Sequence, residues 1–202
     1  MKVTDLCPGG FASCCYLVTQ GADAVLIDCS APVSTVTAAL RKRGAHLHAI
    51  LCTHGHFDHL LTADALREEL HVPLYLHSED AGMPANGQQN GFALFFGFDR
   101  TWRPADRTFG DGDKLSFGSL SFQVMHTPGH SRGSCTFLAE HAAFTGDTLF
   151  MEGYGRTDLY GGDFGELRSS LQRLCHLQAD LTVYPGHGES GPLALAIQSF
   201  RQ

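Results

Sequence analysis

Five short apolar runs in this chain end on residues that bind metals or protons well. The run ending at Ile27 is followed by Asp28, and the run ending at Cys52 by Thr53 and His54. The run ending at Val124 leads into His126-Thr127-Pro128-Gly129-His130, and the run through Phe144 into Gly146 and Asp147. The last, ending at Tyr184, gives Pro185, Gly186 and His187. Each run has the length of a strand, and open α/β sheets build their sites at the carboxyl ends of strands. The pattern therefore demands a sheet-based fold in which five strand ends converge on one site.

Strand-length runs at 14–18, 24–27, 49–52, 74–76, 120–124, 135–138, 142–144 and 181–184 alternate with helical spacing. Alternation is visible in the run at 120–124, where Leu120, Phe122 and Val124 face one way and Ser121 and Gln123 the other. Val33, Val36 and Leu40 predict a helix closed by Arg41-Lys42-Arg43 and Gly44. Leu60, Ala63, Leu66 and Leu70 share the face of a second helix, and Phe164, Leu167, Leu171 and Leu174 that of a third. A fourth is predicted over 192–200. With 202 residues and no repeat, low-complexity stretch or Pro/Ser linker, the chain reads as one α/β domain.

His54-Gly55-His56-Phe57-Asp58-His59 places three imidazoles and a carboxylate directly before a helix. A regular helix would put only some of them on one face, whereas an irregular helix start can turn His54, His56, Asp58 and His59 inward together. Imidazole and carboxylate suit zinc, iron or manganese better than magnesium or calcium. With His130, Asp147 and His187 the set reaches five histidines and two aspartates, more than one tetrahedral zinc shell uses. Two divalent cations are expected, zinc foremost, with iron or manganese as alternatives. A hydroxide held between them would attack an electrophilic carbonyl or phosphoryl centre.

The motifs Thr53-His54-Gly55-His56-Phe57-Asp58-His59, Thr127-Pro128-Gly129-His130-Ser131, Thr145-Gly146-Asp147-Thr148-Leu149-Phe150 and Pro185-Gly186-His187-Gly188 together resemble the metallo-β-lactamase superfamily. The resemblance implies a four-layer αββα sandwich with metals at the sheet edges. It assigns His54, His56 and His130 to one metal, Asp58, His59 and His187 to the other, and Asp147 to both. Asp58 is also expected to orient the hydroxide and accept its proton.

Within the superfamily, Gly155-Arg156-Thr157-Asp158-Leu159 and Gly161-Gly162-Asp163 are similar to the glyoxalase II branch and its short bacterial relatives. That branch implies hydrolysis of a thioester such as an S-acylglutathione. The same segment also resembles persulfide dioxygenases, which use one iron and oxygen, so a dioxygenase stands as an alternative, beside a metal-binding module without turnover. Arg156, Tyr154 and Tyr160 are the candidate substrate contacts, and Arg156 with Asp158 reads equally as an ion pair bracing the loop. The chain stops soon after His187, so the helical C-terminal domain that contacts glutathione in full glyoxalase II enzymes is expected to be absent. Asp28-Cys29-Ser30 stands where relatives often have aspartate, proline and glycine. Asp28 is expected to orient a metal-bound histidine rather than to coordinate.

Phe92, Phe95, Phe96 and Phe98 lie between glycines and read as an apolar wall or lid over the site, or as a packing or oligomer contact. A net charge of −7, with Arg41-Lys42-Arg43 as the one dense basic run, argues against a nucleic-acid partner. No apolar stretch has the length of a membrane span and the N-terminus lacks a secretory h-region, so the protein is expected to be cytoplasmic and off the membrane. The seven cysteines form an odd set without a C-x-x-C pair, which predicts reduced thiols rather than a disulfide framework.

Overall fold

The computed structural model describes residues 1–7 and 9–200. Two six-stranded sheets face each other. The first runs in the order β1 (Lys2–Asp5), β2 (Tyr16–Gln20), β3 (Asp23–Ile27), β4 (His46–Leu51), β5 (Leu74–His77), β6 (Arg107–Phe109). The second comprises β7 (Lys114–Phe117), β8 (Leu120–His126), β9 (Cys135–Ala139), β10 (Ala142–Gly146), β13 (Thr182–Pro185) and β14 (Gly191–Pro192). A small hairpin of β11 (Leu149–Phe150) and β12 (Gly153–Tyr154) stands apart. β3 to β6 pair in parallel, as do β10 and β13, so these strands deliver their carboxyl ends to the same sheet edge.

The period of two explains why the layers form. Val25, Ile27 and Leu51 point into the space between the sheets, where they meet Phe122, Phe137 and Phe144. Their neighbours Leu26 and Ile50 point outward and pack against Val36 and Leu40 of α1 (Val33–Arg43) and Leu66 of α2 (Ala63–Leu70). Outside the second sheet, Ala143 and Val183 meet Leu167, Leu171 and Leu174 of α4 (Phe164–Cys175) and Leu193 of α5 (Leu193–Ala196). Strands apolar on both faces can be buried only between two further layers. The result is the expected αββα sandwich.

Some boundaries differ from expectation. The second helix begins at Ala63, because Phe57–His59 form a separate 3-10 turn that carries the histidine motif. The helix expected over 192–200 is split into α5 and a 3-10 turn at Gln198–Phe200. Gly91 opens a short helix, α3 (Phe92–Phe96), in the aromatic segment.

Arg67 on α2, itself buried, pins the approach to β6 by donating to Arg103 O (3.2 Å), Pro104 O (3.0 Å) and Asp106 Oδ1 (2.6 Å). Burial disfavours the Asp106 charge, but donation from Leu74 N–H and Arg67 outweighs it and holds the carboxyl below its ordinary value. Such a group stabilises the fold above its unfolded value of 3.8, and the contribution is lost as pH falls through the lower folded value. Asp106→Asn is therefore expected to lower stability at neutral pH by less than about 1 kcal/mol, since the carboxylate is partly solvated. Urea midpoints of the two proteins should converge in strong acid; a constant difference at every pH would contradict this account.

Candidate metal centre

The two sheets contribute separate halves of the site. From the first come His54, His56, Asp58 and His59, on the loop and 3-10 turn after β4. From the second come His130 after β8, Asp147 after β10 and His187 after β13. One donor atom each of His54, His56 and His130 lie within 4.8 Å of one another, and the same holds for Asp58, His59 and His187. Asp147 joins His54 and His59 in a third such group. Its Oδ1 is 3.3 Å from His59 Nε2, and its Oδ2 is 3.5 Å from His130 Nε2 and 3.6 Å from His187 Nε2.

The outward nitrogens are tied down. His59 Nδ1 donates to Asp28 Oδ2 (2.8 Å) and His130 Nδ1 to the carbonyl of Arg156 (2.7 Å). Both acceptors can only accept, so each ring donates from Nδ1 and turns its Nε2 toward the cluster. Asp28 thus holds the His59 ring by its outward nitrogen. Its φ of 56° lies in the left-handed region, and its Oδ1 also accepts from Thr53 N–H (2.8 Å). The adjoining Cys29-Ser30 turn is held by Cys29 N–H donating to His59 O (2.9 Å) and Ser30 Oγ donating to Ser13 O (2.6 Å).

Among the described residues, His54 Nε2, His56 Nε2, His59 Nε2 and Asp147 Oδ1 are buried polar atoms without a hydrogen-bond partner, and the only other such atom is Ser13 Oγ. Buried polar atoms are almost always paired. Three of these orphans, on His54, His59 and Asp147, belong to residues that converge in one group and fit donors arranged for cations. Burial and the neighbouring imidazoles push His56 down to about 3, and burial also holds His54 well below its ordinary value, so both are neutral and ready to coordinate. Burial opposes charge on His59 too, but Asp28, Asp58 and Asp147 prevail and raise it well above its ordinary value. For Asp147, burial is outweighed by His59, which keeps the carboxylate ionised.

A buried carboxylate not anticipated from the sequence braces both halves. Asp80, just past β5, accepts from Gly55 N–H (3.1 Å), Ser131 Oγ (2.6 Å) and Gly133 N–H (2.7 Å). It thus links the loop between His54 and His56 to the turn after His130. Its position past a strand end was a signal, but spacing alone does not separate it from the exposed Glu79. α4 is fastened to the same turn by Asp163 N–H on Gly129 O (2.9 Å) and Ser170 Oγ on Pro128 O (2.7 Å). Tyr16 Oη donates to Pro185 O (2.7 Å) and anchors the approach to His187.

Similarity to known proteins extends over nearly the whole chain. The family model of the Metallo-beta-lactamase superfamily matches residues 8–187. The chain belongs to the metallo-β-lactamase superfamily. Among its relatives in that superfamily, hydroxyacylglutathione hydrolase GloC of Haemophilus influenzae is 31% identical over 87% of this chain and 85% of that protein. The B3 metallo-β-lactamase BLEG-1 superposes with a TM-score of 0.89 at 31% identity, covering 97% of this chain and 96% of that one. TTHA1623, solved in a di-iron-bound form, gives 0.82 at 35% identity over 98% of both chains. ETHE1 from Myxococcus xanthus gives 0.78 at 29% identity, covering 98% of this chain and 82% of that one.

A cavity of ≈ 620 Å³ opens on this superfamily site, and its floor includes His56, Asp58, His130, Asp147 and His187. Arg156 lines it, whereas Tyr154 and Tyr160 do not. Tyr154 belongs to β12 and packs against Phe164 and Phe200, and Tyr160 lies beneath the Arg132 guanidinium. These two expected contacts therefore fall outside the cavity. His126, which its place at a strand end marks as a packing residue, stacks on His77 at 4.0 Å. No helix among the described residues is long and apolar enough to cross a membrane.

Proposed function

We propose that the chain is a binuclear metal-dependent hydrolase of thioesters, of the glyoxalase II type. The observation that carries this reading is the pair of three-donor groups facing each other across Asp147, with His54 Nε2, His59 Nε2 and Asp147 Oδ1 buried and unpartnered among them. His54, His56 and His130 would hold one cation, Asp58, His59 and His187 the other, and Asp147 would serve both. Divalent cations there, zinc foremost, would supply Lewis acidity and a water that ionises near neutral pH.

The chain's own groups do the rest. Asp58 stays ionised because His59 and His187 outweigh its burial, and its Oδ2 lies 3.0 Å from His187 Nε2. It lines the cavity, where it is placed to orient the attacking water and take its proton. Water oxygen bonds to the carbonyl carbon, the C–S bond breaks, and thiolate and acid share the two protons of water. No side-chain nucleophile is required. The name of GloC makes an acylglutathione the first compound to try.

The test compares two reactions. Zinc-loaded protein, without oxygen, is expected to release thiol from a panel of thioesters that includes S-lactoylglutathione. Iron-loaded protein is expected to take up no oxygen on glutathione persulfide. Oxygen uptake without thioester cleavage under any metal would replace this reading with a persulfide dioxygenase, and neither reaction would leave a metal-binding module.

A further inference from the structure

The walls of the cavity differ in character from its floor. Phe11, Phe57, Phe95, Phe150 and Leu159 line them. Phe57 sits between His56 and Asp58 in sequence, and its ring is 5.6 Å from that of Phe95 on α3. Phe11 meets Phe95 edge-on at 6.3 Å. The segment is tied to the metal loop by Phe57 N–H, which donates to Asn90 O (2.9 Å) just before Gly91. Phe92 anchors it from below, buried in the core beside Trp102. An aromatic wall is thus tied directly to the metal-ligand loop.

Among the described residues lining this cavity, Arg156 is the one lysine or arginine, and it is committed. Its Nε and Nη2 both lie 2.6 Å from the two carboxylate oxygens of Asp158, and its Cζ sits 5.8 Å from the Phe95 ring centroid. Asp158 takes two of the guanidinium N–H groups and offsets its charge, so an anionic ligand meets an ion pair of no net charge and not an unpaired cation. Glutathione carries a carboxylate at each end, and the cavity offers neither end a free cation.

Resting on the thioesterase reading, we propose that the substrate is a thioester with an aryl or branched-alkyl acyl group and an uncharged thiol half, its acyl group lying against Phe11 and Phe95. Apolar walls reward such a group, and removing one aromatic contact changes discrimination by about 10-fold.

Zinc-loaded full chain is tested on phenylacetyl-N-acetylcysteamine and S-lactoylglutathione. The aryl thioester is expected to give kcat/KM at least about 10-fold higher. Phe95→Ala, at a half-exposed position, should lower the ratio of kcat/KM for the aryl thioester to that for lactoylglutathione by about 10-fold. Asp158→Asn should free Arg156 and raise turnover of lactoylglutathione. Equal or better turnover of lactoylglutathione by the wild type overturns the proposal, as does unchanged selectivity in Phe95→Ala. So does a change in sedimenting mass of Phe95→Ala without a change in selectivity, which would assign the aromatics to a contact between copies. Calorimetry with the non-cleavable phenacyl thioether of N-acetylcysteamine and with S-carboxymethylglutathione keeps the two readings apart. If neither thioester is cleaved, the hydrolase reading fails, and tighter binding of the phenacyl compound still supports the apolar site while tighter binding of the glutathione compound overturns it.

Discussion

Asp147→Ala is expected to empty the site of metal and to lower thioester hydrolysis by about 10³-fold or more. The carboxylate is within 3.6 Å of ring nitrogens from His59, His130 and His187, which belong to both donor groups. Two cations so close repel each other, and a shared anion between them offsets that repulsion. Asp58→Ala removes a donor from one group only. Elemental analysis after zinc saturation and desalting should therefore give about two ions per chain in the wild type, because seven donors exceed the four of one zinc shell. It should give about one in Asp58→Ala and fewer in Asp147→Ala. Retention of two tightly held ions by Asp147→Ala would show that the carboxylate is not shared.

Gly186→Ala is expected to be nearly as damaging although it removes no donor. A Cβ there would collide with Asp147 Oδ1 and stand 2.8 Å from His59 Cε1. The backbone cannot retreat easily, because Gly186 N–H donates to Gly146 O (2.8 Å) and Gly186 O accepts from Cys14 N–H (2.6 Å). Overpacking of this kind lowers stability by about 1–3 kcal/mol. Displacing a reacting group by about 1 Å lowers turnover by about 10²-fold. Gly188→Ala is the contrast: its φ is +82° but nothing lies within 4 Å of the new methyl. It should lose about 1 kcal/mol of stability from the left-handed backbone and keep its metal content. Equal metal loss in both variants would mean that backbone strain, and not the collision with Asp147, governs the site.

Much of this site is legible in the sequence because its donors come directly after strongly apolar strands. β3, β4, β8, β10 and β13 announce themselves by hydrophobicity, and the polar residues just past each carboxyl end then stand out. Edge strands carry no such signal. Lys2–Asp5, Arg107–Phe109 and Lys114–Phe117 are short, and each is exposed or half-buried at most positions. Exposed edges carry charge, and three or four residues are too few for an alternation such as that of Lys114–Phe117 to stand out. The hairpin of Leu149–Phe150 and Gly153–Tyr154 is too short for any period to show. Asp80 and the buried Arg67 escape for another reason: their partners lie far along the chain, and the one local mark of Asp80, its place past a strand end, is shared with the exposed Glu79. Tyr154 and Tyr160 flank Arg156 in the sequence, yet nearness along the chain does not carry their rings into the cavity.

The division of donors between the two sheets ties metal binding to the docking of the sheets. Neither half of the chain can close either three-donor histidine and aspartate group on a cation except where His54, His59 or Asp58 meets a partner from the other half. Metal occupancy would then be a gauge of how well the sheets are docked. A change in the aromatic layer between them, at Phe122 or Phe144, would register as weakened ion binding at a centre it never touches. Conversely, cations held by the two groups would act as rivets across a seam that side-chain packing alone would otherwise hold, so metal removal would be expected to loosen the sandwich at that edge.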